Sequence, residues 1–118
     1  PNVQLKVEKF RSELFSLNVL LGIKKEAFNS EVVEQEVTDA LKDHFQLKNR
    51  KLGAHLYLSE AYKVVESIEG VENSICVLND DTAQQIVYAH DDKTVIYLDT
   101  EAKQRPSLLL VNSEEYRP

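Results

Sequence analysis

Along residues 14–23 the apolar side chains Phe15, Leu17, Val19, Leu21 and Ile23 recur at every second position, the period of a strand with one buried face. Leu14 and Leu20 add apolar groups to the opposite face, which predicts a strand in the interior of a sheet. The residues before it read two ways. Alternation at residues 3–7 suits a strand, while the spacing of Phe10 and Leu14 suits a short helix.

From Ser30 the period changes. Val33, Val37, Ala40, Leu41, His44 and Phe45 form one stripe at helical spacing, which predicts an amphipathic helix of about 15 residues. Asn29-Ser30 offers the N-cap, since a short side-chain oxygen accepts a free backbone N–H. Glu31, Glu34 and Glu36 place negative charge where the helix dipole favours it. Residues 46–58 read as a connector containing Gly53, briefly extended at 55–58.

Ser59 is the expected N-cap of a second, shorter helix that turns Ala61, Val64, Val65 and Ile68 inward with Tyr62 on the flank. Gly70 follows the last periodic residue, where the chain must reverse through positive φ, and Val71 returns it to the core. Residues 74–78 read as a covered strand. Residues 85–90 and 94–99 read as a hairpin around Asp91-Asp92-Lys93. Residues 108–111 make a closing strand after the break at Arg105-Pro106.

The predicted class is therefore α+β: two helices packed on one face of a mixed or antiparallel sheet of about four to five strands. The order is β-α-α-β-β-β, with the closing strand as an addition. The expected core is Leu17, Val19, Leu21, Val33, Val37, Leu41, Phe45, Val65, Ile68, Val71, Ile75 and Val77.

The 118 residues suit one domain. The chain contains no methionine and begins at Pro1, which together with the family resemblance given below reads as a segment of a longer polypeptide. Net charge is −6, and the basic residues are scattered. The densest group, Lys48, Arg50 and Lys51 around Asn49, reads as a solvated loop. Nucleic acid, which selects a basic face, is an unsuitable partner. No apolar run is long enough for a membrane-spanning helix.

Candidate chemistry is sparse. The sequence has no Gly-rich phosphate loop, HExxH, CxxC or GxSxG. Asn79-Asp80-Asp81 opens like a calcium loop but lacks its central glycine and terminal glutamate, so a surface turn is expected. His44, His55 and His90 fall in three separate elements, and His44 reads as a satisfied edge residue. Cys76 sits in the apolar run Ile75-Cys76-Val77-Leu78 and reads as a small hydrophobe. No catalytic residue, metal ligand or cofactor is expected, and the chain reads as non-catalytic.

One segment has a familiar order. Leu52-Gly53 leads to Leu56-Tyr57-Leu58-Ser59, then Ala61-Tyr62, then Ile68-Glu69-Gly70-Val71. This resembles the C-terminal part of baseplate J-like proteins, in which the same order follows a strand and an amphipathic helix. With the flanking elements, the resemblance covers roughly residues 14–111 by order and spacing. Ala61 departs from it by being small, and Gln84-Gln85 departs by preceding a longer acidic connection.

The resemblance implies a structural module of a phage-type contractile-tail baseplate that makes protein–protein contacts in the wedge. It would reside in the bacterial cytoplasm during assembly and then in the tail baseplate of the virion. Its partners would be other baseplate and tail proteins, and the isolated domain would be monomeric or weakly self-associating. Gly53, Tyr57, Ser59, Tyr62, Ile68, Gly70 and Val71 are the residues of the motif, and Tyr88 and Tyr97 are expected at an interface. A small regulatory or ligand-sensing α+β module is the alternative that the same pattern leaves open.

Overall fold

In a computed structural model, residues 10–24, 26–99 and 108–112 are described. The alternation at residues 3–7 and the Arg105-Pro106 break lie outside them. The described strands are β1 (Arg11–Phe15), β2 (Leu17–Ile23), β3 (Leu56–Tyr57), β4 (Val71–Leu78), β5 (Ile86–Val87), β6 (Thr94–Leu98) and β7 (Leu108–Asn112). The helices are α1 (Ser30–Phe45) and α2 (Leu58–Glu66), with a 3₁₀ turn at Leu47–Asn49. The fold is α+β, and apart from the two-residue β3 between the helices the β-α-α-β succession follows the expected order.

The first strand extends earlier than its apolar pattern suggests and is divided at Ser16. There the pairing changes hands. Ser16 N–H donates to Asn79 Oδ1 at 2.9 Å, and Asn79 N–H donates to Ser16 O at 2.9 Å. Before this point β1 runs parallel to β6. Beyond it β2 lies between antiparallel β4 and parallel β7. Together with the short β3–β5 pair, the described strands divide among three sheets, where the sequence suggests one.

α1 forms as its pattern dictates. Asn29 Oδ1 accepts from Glu31 N–H at 2.9 Å and Val32 N–H at 3.2 Å, satisfying donors that the first helical turn leaves free. Val33, Val37, Leu41 and Phe45 are all buried. They meet Leu17, Val19, Leu21 and Ile23 of β2, and Ala61 and Val65 of α2, in one core cluster. The Phe15 and Phe45 rings meet edge to face, 5.4 Å between centroids.

Three expectations need correction. The residues expected as a hairpin around residues 91–93 do not pair with each other. β5 is antiparallel to β3, and Ala89 N–H donates to His55 Nδ1 at 2.9 Å. Asp91 then turns the chain by accepting from Lys93 N–H at 2.9 Å and Thr94 Oγ at 3.0 Å. This delivers β6 alongside β1 with Arg11 N–H donating to Lys93 O at 2.8 Å.

The inward face of β4 is also the reverse of the one expected. Cys76 and Leu78 are buried, Val77 is half-buried and Ile75 is 56% exposed. Cys76 lies opposite inward-facing Val19, so alternation sends Ile75 and Val77 to the other side. Ile68 and Val71 pack at the margin of the core.

Ser59 is not a cap. α2 begins at Leu58, with Tyr57 at the N-cap, and Ser59 lies exposed in the first turn. Glu60 supplies the capping group: its Oε2 accepts from Tyr57 N–H at 3.0 Å. A carboxylate in this third helical position reaches back to the cap without needing a serine there.

Candidate interaction surface

The corner between the connector, β3 and α2 holds a convergent polar cluster. It is built around Arg50, whose side chain is only 7% exposed. Its Nε donates to Ile96 O at 2.9 Å, its Nη2 to His55 O at 3.3 Å and its Nη1 to Glu60 Oε1 at 3.0 Å. The guanidinium also stacks over Phe45, 5.7 Å from the ring centre. One cation thus ties β6, the connector and both helices together. The basic stretch around it is therefore a solvated loop only at its exposed Lys48 and Lys51.

Glu60 answers this charge. Burial alone would raise its carboxyl, but the Tyr57 N–H, His44 and the Arg50 guanidinium outweigh that and hold it below the ordinary carboxylate value. His44 Nε2 lies 3.2 Å from the same Oε1, so His44 is satisfied at the helix edge as its position on the stripe suggests.

On the solvent side of this clamp stands an aromatic group. Leu56 is fully buried and orients β3, which turns Tyr57 outward at 43% exposure. The His55 ring contacts Tyr57 and Tyr88 edge to face, with centroids 6.4 and 5.2 Å apart. Tyr88 is 62% exposed. Because His55 Nδ1 accepts the Ala89 N–H, the ring is fixed at its inner edge, and the tyrosines flank a rigid centre. Neutral His55 carries its proton on Nε2 in this arrangement.

The other motif residues occupy different places. Tyr62 packs against the core and its hydroxyl accepts from Cys76 N–H at 3.0 Å. Gly70 has φ +103°, and a Cβ there would lie 2.9 Å from Val33 Cγ2 and 3.0 Å from the Phe28 ring. It sits in a turn closed by Val71 N–H on Ile68 O at 3.2 Å, which places Ile68 and Val71 at its two ends. Gly53 has φ +77° and approaches the Asp92 backbone. These roles are structural.

Tyr97 is separate from Tyr88. It faces Leu14 across the β1–β6 ladder, with its hydroxyl 3.5 Å from Ser12 Oγ. Leu14 is 51% exposed. Through β1 and β2 this outer face continues to Leu20, paired with Ile75.

Cys76 is 4% exposed. Burial, aided by the nearby Glu66 charge, pushes its thiol up to about 12, which suits a packing residue and not a nucleophile. Asp80 lies in a tight turn with Asn79, at φ +58° and +52°, and accepts from Asn18 Nδ2 at 2.6 Å. This is the surface turn expected from the sequence.

Among the described residues, no group of three or more His, Cys, Asp or Glu side chains is placed to hold a metal ion. No described helix is long and apolar enough to cross a membrane.

Sequence reasoning missed Arg50, His55 and Glu60 as a group. Arg50 bonds to residues 10 and 46 positions away, and no local pattern reports such partners. The Glu60 position three residues after Tyr57 was the available signal, because a carboxylate at that spacing can cap a helix. Neither the models of known protein families nor the curated proteins contain a match to this chain.

Proposed function

We propose that this chain is an assembly module that binds other proteins, in the manner expected of a baseplate J-like C-terminal domain in a contractile-tail wedge. The observation that carries the binding role is the exposed Tyr57–His55–Tyr88 group, held on a corner fastened by Arg50. Tyrosine is enriched at protein interfaces because its ring supplies contact area and its hydroxyl a polar handle. A rigid mounting lowers the ordering cost of binding. The tail assignment rests on the resemblance of the order Leu52-Gly53, Leu56 to Ser59, Ala61-Tyr62 and Ile68 to Val71. On this reading the partners are neighbouring baseplate proteins, met in the bacterial cytoplasm before the tail is complete.

The test is co-expression with the tail proteins encoded beside this chain, followed by affinity capture and size-exclusion chromatography. A stable complex is expected. Tyr88→Ala should weaken it by tenfold or more, the order of magnitude of an interface hot spot, while leaving the melting temperature unchanged. A folded domain that captures none of those proteins would overturn the tail assignment. If it instead bound a small metabolite, the regulatory reading would replace it.

A further inference from the structure

β4 stands at the edge of the ladder β4-β2-β7 and, among the described residues, pairs with β2 alone. An open strand edge is a template for another strand, because alternate N–H and C=O groups point away from the sheet. The direction of these groups along β4 follows from one bond. Asn79 N–H donates to Ser16 O, so the Ser16–Asn79 position is a hydrogen-bonded pair. Counting along the register, Leu17–Leu78 and Val19–Cys76 are non-hydrogen-bonded pairs. The N–H groups of Leu78, Cys76 and Ser74 therefore face the open edge.

Among the described residues, two of these positions are engaged from within the chain. At the end of the strand, Asp81 folds back onto Leu78 as an antiparallel bridge, with its N–H donating to Leu78 O at 2.9 Å. In the middle, the outward Cys76 N–H donates to the Tyr62 hydroxyl at 3.0 Å. Tyr62 comes from α2, and its ring packs against the core, so the hydroxyl is delivered by a fixed side chain. Farther along, Ser74 Oγ reaches Glu66 of the same helix at 3.4 Å.

We infer that Tyr62 is an edge plug: its hydroxyl occupies the Cys76 N–H and keeps a second copy of this chain from adding its own β4 to the sheet. The excluded partner is a second copy because the edge is self-complementary. A twofold antiparallel pairing centred on Ser74 sets Cys76 of one copy opposite Glu72 of the other. It keeps the two Glu72 carboxylates apart and requires the N–H that Tyr62 holds. β4 carries no proline and a single charge, the composition of a strand prone to self-pairing. The inference is independent of the tail assignment, since it concerns only what the open edge is kept from doing.

Tyr62→Phe keeps the ring and removes the plug. Sedimentation velocity across a hundredfold range of concentration should show the variant self-associating at least tenfold more tightly than the parent, with circular dichroism confirming its fold. Adding Ser74→Pro, which removes an edge-facing N–H without touching the β2 ladder, should abolish that gain. In the parent, hydrogen exchange should be at least tenfold slower at the Cys76 amide than at the Ser74 amide. Unchanged association of a folded Tyr62→Phe variant would overturn the inference. So would a gain that survives Ser74→Pro, or equal exchange at the two amides of the parent should the variant fail to fold.

Discussion

Arg50 Nη1 donates to Glu60 Oε1 at 3.0 Å while 93% of the Arg50 side chain is withdrawn from solvent and Glu60 remains 26% exposed. The pair is therefore asymmetric: the cation depends on its protein partners, and the carboxylate keeps access to water. Removing the carboxylate should leave a buried charge with only carbonyl and ring contacts, while removing the cation also removes bonds to Ile96 and His55.

Arg50→Ala should cost about 3 kcal/mol, the lower end for breaking a buried pair, because Glu60 can turn to solvent. Urea melts of the purified variant measure this. A loss under about 1 kcal/mol would show that the clamp contributes little to stability.

The lowered Glu60 carboxyl has a pH signature. Its folded value lies below the ordinary 4.5, so its contribution is present above that value and is lost as pH falls from it through the lower folded value. Glu60→Gln should flatten the acid limb of a plot of melting temperature against pH. Parallel limbs for parent and variant would assign acid sensitivity to other carboxylates.

Gly70→Ala should destabilise by about 1–3 kcal/mol, the scale of backbone strain at a left-handed position, and Gly70→Val should cost more. The added Cβ would press on Val33 and Phe28, and the second branch has still less room. Thermal melts rank the two variants. Equal stability of parent and Gly70→Val would remove this account of the turn.

Leu41→Ala should cost about 2–5 kcal/mol, as for a fully buried leucine. Ile75→Ala should stay within about 0.5 kcal/mol because its side chain is more than half exposed. Comparable losses at both positions would contradict the face that β4 turns inward.

Cys76 should resist thiol reagents in the native protein and react only as the chain unfolds, since it is both buried and raised to about 12. Labelling followed by mass spectrometry, with and without urea, distinguishes the cases. Rapid native labelling would mean that the β4–α2 contact opens readily.

The sequence by itself determined the elements whose pattern is local. Four turns of α1 are written in Val33, Val37, Leu41 and Phe45, and Asn29 caps it through the Glu31 and Val32 amides. The inward face of β2 is equally legible, because Leu17, Val19 and Leu21 alternate with less buried neighbours. Gly70 marks a reversal that its positive φ accounts for.

Tertiary structure decided the rest. Ile75-Cys76-Val77-Leu78 is apolar on both sides, so period alone could not say which side of β4 meets the helices. The turn at Asp91 suggested a hairpin, yet β5 pairs with β3 and β6 with β1, since turn residues specify a reversal but not the strand that waits beyond it. Arg50 looked like part of a solvated basic loop until Glu60, His55 and Ile96 converged on it. Such convergence depends on which distant segments are brought together by packing, and a charged side chain carries no local mark of where its partners will be.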